Sequence, residues 1–284
     1  SALPCSESSG PRQVRSHIRM STLLVKNAEL LLTMDPASSR IAGGGVFVRD
    51  NVIEQVGPSE GLPPGADRIL DASGMLVLPG LINTHHHLYQ TLTRALPGAQ
   101  DVELFAWLTR LYPVWGEMDD RAVHASARIG MAELVLSGCT TTTDHLYIYP
   151  NDSSLDATIR AAQEIGIRFH PTRGSMSLGR SKGGLPPDHL VELEADILED
   201  CRRVIERYHD PKPYSMLRVG LAPCSPFSVT ADLMRETAGL ARTFERVSLH
   251  THVAETLDEE RFCLEKFGAR PAEYMRRLGW VGPE

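Results

Sequence analysis

Along residues 22–71 apolar and polar positions alternate in short segments, TLLVKNAELLLTMD, GGVFVRDNVIEQVG and DRILDAS. That period of two belongs to strands with one covered face. Asp50-Asn51 separates two of the segments and reads as a hairpin turn, while Gly43 to Gly45 and the Pro-Ser and Pro-Pro-Gly clusters punctuate the rest. A small β-sandwich-like domain over residues 20–74 is expected. The apolar run from Met75 to Ile82, bounded by Gly74 and closing on Asn83 and Thr84, reads as a buried parallel strand.

Beyond that run the rhythm changes to strand alternating with helix. Residues 101–115 and 119–137 are helical. In the second, Val123, Ala127, Met131 and Leu134 recur on one stripe and Gly138 stops it. Residues 140–144 form a β-branched strand, 154–165 a helix ended by Gly166, and 167–172 the next strand. A long helix is expected over 187–208, a strand over 216–222, a helix over 230–242 and a strand over 247–252. Thr256 and Glu259 have capping-box spacing, so a helix begins there. A last one covers about 271–278.

This alternation predicts an α/β fold with a parallel sheet, a TIM-type (β/α)8 barrel over residues 75–284. No Gly-x-Gly-x-x-Gly follows the first strand, which argues against a doubly wound dinucleotide fold. Only about five barrel strands can be counted, in a stretch shorter than the roughly 250 residues of a complete barrel. A further carboxyl-terminal part is therefore expected. Residues 1–19 contain Pro, Ser and Gly without the apolar centre of a secretion signal, and read as a flexible extension.

The chain has 284 residues and a net charge of -7. No basic cluster is interleaved with aromatics, so a nucleic-acid partner is not expected and a small-molecule ligand fits better. No run reaches the ~18 apolar residues of a membrane helix. Five scattered cysteines without a Cys-x-x-Cys pair suggest reduced thiols and a cytoplasmic location. A homo-oligomer is expected.

The chemistry concentrates in two stretches. In Leu78 to Gln90, LPGLINTHHHLYQ, His85 and His87 are two residues apart at a strand end and share a face, while His86 points away. Such a pair makes a two-armed claw for a borderline divalent metal, because neutral imidazole suits zinc, iron or nickel better than magnesium. In LHTHVAET, His250 and His252 again share a strand-end face, and Glu255 follows within reach of a metal-bound water. Spacing alone leaves open which of these two histidines completes a three-nitrogen shell. The plainer reading of Glu255 is a helix-capping acid.

These residues resemble the amidohydrolase superfamily, in its mononuclear deaminase branch. PGLINTHHH looks like the Pro-Gly-x-x-x-x-His-x-His signature and HTHVAET like the His-x-Ala-Glu motif of strand five. The resemblance implies that His85, His87 and His252 are metal ligands, that Glu255 is the proton shuttle and that His250 is a supporting residue. It also implies one divalent cation, zinc with iron as the alternative, since LRVGLAPC offers no bridging lysine. A histidine ending strand six and an aspartate ending strand eight would lie beyond Glu284. The stretches HHHLYQTLTRALPGAQDVELFAWL, SGCTTTTDHLY, RGSMSLGRSKGGLPPD and LAPCSPFSVTADLMRE look most like the 8-oxoguanine and hydroxytriazine aminohydrolases.

The activity so implied is hydrolytic deamination of a heterocycle, 8-oxoguanine to urate and ammonia, with a hydroxytriazine, guanine or a pterin as alternative substrates. A non-catalytic barrel is the remaining alternative. For substrate recognition Gln90 offers a donor and an acceptor, Trp115 an aromatic face, Tyr147 a phenol and Arg173 a guanidinium. Trp115 reads equally as helix core and Arg173 as an ion-pair partner. Asp144 is expected to be a structural hydrogen-bonding residue, and His86, His145 and His170 to be packing residues.

Overall fold

The computed structural model describes residues 21–282. The flexible extension expected over residues 1–19 lies outside them. The chain divides into two compact units between Pro79 and Gly80.

The first unit is one mixed sheet of five strands: β1 (Thr22–Leu32), β2 (Arg40–Arg49), β3 (Val52–Pro58), β4 (Arg68–Asp71) and β5 (Leu76–Val77). β2 pairs antiparallel with both β1 and β3, whereas β4 and β5 both run parallel to β1. The expected hairpin is present, with Asp50 in the left-handed region at φ 52°. Among the described residues of this unit no second sheet, which a sandwich would need, is formed. Instead a bulge between Val25 and Ala28 interrupts β1, and two small clusters replace a continuous core. Leu24 packs with Phe47 and Leu62, and Ala28 with Leu31 and Ala72.

The run from Met75 to Ile82 is not a single buried strand. It divides into β5 and β6 (Leu81–Asn83), which belong to different sheets. Pro79 lacks the N–H that a continuous ladder needs. Gly80 follows, and a Cβ there would fall 2.2 Å from Thr140 Cγ2. β6 is an edge strand, and Leu81 and Ile82 are 59% and 69% exposed.

The second unit alternates β6, α1 (Leu104–Trp115), α2 (Asp120–Leu136), β7 (Cys139–Leu146), α3 (Leu155–Ile165), β8 (Arg168–Ser175), α4 (Glu194–Tyr208), β9 (Gly220–Pro223), α5 (Ala231–Ala241), β10 (Ser248–Leu249), α6 (Leu257–Phe267) and α7 (Pro271–Arg277). All of its strands are parallel and stand in chain order from β6 to β10. A doubly wound sheet would reverse that order at a switch point; an unreversed order gives a curled half-barrel. Its core contains Trp115, Tyr89, Tyr112, Phe169 and Met131, each less than 2% exposed.

Several elements are shorter than expected, among them α1, which starts at Leu104 rather than 101, and β9, which starts at Gly220 rather than 216. α4 starts at Glu194 rather than 187, because Pro187 opens a separate 3₁₀ turn at Asp188–Leu190. β10 is two residues long, and the histidines expected at its end lie in the loop beyond it. Among the described residues no helix is long and apolar enough to cross a membrane.

Candidate metal centre

Three imidazoles converge at the carboxyl end of the half-barrel. His85 and His87 leave β6, and His252 arrives from the loop after β10, anchored by its N–H donating to the Cys224 carbonyl at 3.0 Å. The Nε2 atoms of His85, His87 and His252 form a triangle with sides of 3.3, 3.1 and 3.3 Å. Nitrogens bound tetrahedrally at about 2.0–2.1 Å from zinc stand about 3.3 Å apart. The triangle therefore fits a borderline divalent cation.

The other ring nitrogens fix the tautomers. His87 Nδ1 donates to the His145 carbonyl at 2.7 Å, and His252 Nδ1 to the Cys224 carbonyl at 3.0 Å. Both Nε2 lone pairs are thereby left facing the centre. Burial, reinforced by neighbouring His252, holds His87 down to about 3, and burial also lowers His252. Both are neutral at pH 7, the form in which imidazole binds metal.

Of the other histidines, His145 and His250 pack around this triangle, while His170 lines the larger cavity described below. His145, fully buried, stacks on His252 with ring centroids 4.8 Å apart and donates Nε2–H to the Ala222 carbonyl. His250 packs edge-on against His145 at 5.0 Å and is outside the triangle. His170 accepts or donates with Ser248 Oγ at 2.8 Å. Cys224 lies close to His145 and His252, but burial pushes its thiol up to about 12, so it remains protonated.

Asp144, expected to be a structural residue, accepts the Leu88 N–H at 2.7 Å and so ties the turn after His87 to β7. Ser126 on α2 donates to the Leu88 carbonyl at 2.7 Å from the other side. Burial raises the Asp144 carboxyl to about 7, against the lowering effect of the Leu88 and His145 N–H groups.

Glu255 stands on the exposed rim beside the triangle. Partial burial raises its carboxyl above the ordinary value, while His85 pulls it down. The cavity over the triangle measures about 140 Å³, and Gln90 and Tyr147 line it with the three histidines and Glu255. Gln90 Nε2 donates to the hydroxyls of Tyr89 at 3.1 Å and Tyr147 at 3.4 Å. A larger cavity of about 450 Å³ lies at the other end of the strands, around Arg168, Arg218 and Arg246, away from the triangle.

Two residues suggested for recognition do not line the cavity. Trp115 is fully buried, donates its indole N–H to Thr93 Oγ1 at 3.0 Å and packs edge-on against Tyr89. Arg173 is 2% exposed, forked onto Glu192 at 2.6 and 2.9 Å, bonded to Asp200 at 2.8 Å and stacked over Tyr149. Its donors are spent on that network. The wall is made instead by Leu104, Trp107, Leu108 and Tyr112 of α1, with Phe227 and Ser225 after β9. Those α1 positions follow i, i+3, i+4 and i+8, a stripe that the sequence of 101–115 already contained.

Residues 76–283 match the family model described as amidohydrolase family. The chain is 44% identical over 267 residues to 8-oxoguanine deaminase of Pseudomonas aeruginosa, covering 93% of this chain and 59% of that one. It is 36% identical over 279 residues to hydroxydechloroatrazine ethylaminohydrolase of Pseudomonas sp. (strain ADP), covering 93% and 57%. The fold superposes on atrazine chlorohydrolase from Arthrobacter aurescens complexed with zinc, with a TM-score of 0.84 and 34% identity over 91% of this chain and 58% of that one. The chain thus spans less than three-fifths of the length of these relatives.

Proposed function

The chain belongs to the amidohydrolase family, and on that premise we propose that it hydrolytically deaminates an aminated heterocycle, 8-oxoguanine to urate and ammonia. The observation that carries this reading is the triangle of Nε2 atoms with the Glu255 carboxylate beside it.

His85, His87 and His252 would hold one divalent cation, zinc by their all-nitrogen chemistry and by analogy with the zinc complex of the structural neighbour. When bound, the cation supplies Lewis acidity that brings the pKa of a water molecule toward neutrality. The protein's own groups do the rest. Glu255 takes a proton from the attacking water and delivers it to the ring nitrogen next to the aminated carbon, then carries the proton of the newly added hydroxyl to the departing amine. A C–O bond forms, the C–N bond breaks, and ammonia leaves with a carbonyl in its place.

Gln90 is proposed to read one edge of the ring. Its amide nitrogen is engaged by Tyr89 and Tyr147, so its carbonyl oxygen is turned to accept from a substrate N–H. Trp107, Phe227 and Tyr147 offer aromatic walls that exclude water. The cavity is below the ~300–1,000 Å³ of drug-sized ligand sites, in keeping with a single small heterocycle.

A hydroxytriazine substrate is the second reading, favoured by the ethylaminohydrolase and chlorohydrolase relatives. Ammonia or alkylamine release from 8-oxoguanine, guanine, a pterin and a hydroxytriazine separates the readings. Turnover of 8-oxoguanine at least about tenfold above the others, a margin of 1.4 kcal/mol, supports the proposal; a preference for the triazine overturns it. The four described cysteines are free and buried, which favours a reducing compartment such as the cytoplasm.

A further inference from the structure

Helix α6 begins with an uncommon cap. Thr256 Oγ1 accepts the Glu259 N–H at 3.5 Å, as the spacing anticipates. In a capping box the returning carboxylate bonds the N–H of the cap residue itself. Glu259 reaches further upstream: Oε1 accepts the Ala254 N–H at 2.9 Å and Oε2 accepts the Glu255 N–H at 2.7 Å. Ala254 has φ 58°, in the left-handed region that alanine seldom adopts. Successive N–H groups are thereby turned to one side and form a nest for an anion, and the anion is a side chain of the same protein.

Glu259 is fully buried, and among the described residues no cation pairs with it. A carboxylate in that position is held by backbone N–H dipoles and by the amino end of α6. The segment it grips is the one between His252 of the triangle and Glu255 on the cavity rim. Exposed loop residues without such a grip sample many conformations, and Glu255 is exposed.

We propose that Glu259 is a positioning residue for Glu255: its buried carboxylate locks residues 254–255 in the strained turn that aims the Glu255 side chain at the His85, His87 and His252 centre. The catalytic half of this inference rests on the deaminase reading. The clamp itself does not.

The test uses the full-length protein carrying its metal. Glu259→Ala frees both N–H groups, and Glu259→Gln keeps one acceptor oxygen. A misplacement of about 1 Å at a reacting group costs on the order of 10²-fold. Glu259→Ala should therefore lose about 10²-fold in kcat, with KM and metal content near wild type. Glu259→Gln should recover part of that loss. In a Glu255→Gln background, Glu259→Ala should cost nothing further, since residues acting through one another are not additive.

Hydrogen exchange at the Ala254 and Glu255 amides, slow in wild type and fast in Glu259→Ala, reads the clamp without any substrate. The proposal is overturned by an unchanged kcat in Glu259→Ala, by an equal loss in the Glu255→Gln background, or by unaltered exchange at both amides. A wild-type protein that releases no amine from any heterocycle removes the deaminase reading instead, and the exchange measurement then decides the clamp alone.

Discussion

The Nε2 atoms of His87 and His252 lie 3.1 Å apart although 165 residues separate them in the chain. Two neutral imidazoles with lone pairs turned toward each other gain nothing from that approach on their own. The proposed shared cation would account for it, and the side chains described above are arranged around the point where that cation would sit.

Glu255→Gln keeps the side chain's size and removes its ability to carry a proton. We predict a fall in kcat on the order of 10²- to 10⁴-fold with metal content unchanged. Steady-state kinetics and metal analysis on the same preparation check this; near-normal turnover removes Glu255 from the mechanism.

Trp107 and Trp115 stand on the same helix with different duties. Trp107 lines the cavity, so Trp107→Ala should raise KM while leaving the unfolding midpoint little changed. Trp115 is fully buried, so Trp115→Ala should cost about 3–5 kcal/mol of stability. Paired kinetics and urea denaturation distinguish the two.

Arg173 is expected to matter for stability rather than for substrate choice. Arg173→Leu leaves Glu192 and Asp200 facing each other without their shared cation, which should cost about 3 kcal/mol. Arg173→Lys should recover only part, because an ammonium cannot reproduce the bidentate fork. Relative rates across the substrate panel should stay as in wild type; a changed substrate preference would put Arg173 back in the pocket.

Asp144 supplies a pH signature. Its folded carboxyl, raised to about 7 from an ordinary 3.8, binds a proton that the unfolded chain has already released. Its contribution is therefore full below about pH 4 and is lost as the pH rises through about 7, with a slope of at most about 1.4 kcal/mol per pH unit. Asp144→Asn keeps an acceptor for the Leu88 N–H and should flatten that part of the profile. Denaturant titrations at pH 5 and pH 7 measure it, and identical slopes in the two proteins contradict the assignment.

How much of this was legible in the sequence depends on the range of the forces involved. The half-barrel followed from local periodicity, since the alternation of apolar stripes and β-branched runs is decided within ten or so residues. His85 and His87 were legible for the same reason, two residues apart on one face. The break at Pro79-Gly80 was written in the chain, yet the apolar run around it outweighed it. Trp115 and Arg173 were beyond local reading. An aromatic or guanidinium group looks the same in a pocket wall and in a core, and only the partners, Thr93 and Tyr89 for one, Glu192 and Asp200 for the other, decide which it is. Glu259 was seen as a capping residue because its spacing to Thr256 is local, whereas its grip on Ala254 depends on a left-handed turn that no propensity announces.

The most direct test of the account is anomalous diffraction from crystals of the zinc-loaded protein, recorded at the zinc absorption edge. The account predicts one peak about 2.0–2.1 Å from each Nε2 of His85, His87 and His252, and its disappearance in His87→Ala. A peak elsewhere, or none within bonding distance of His252, would contradict it.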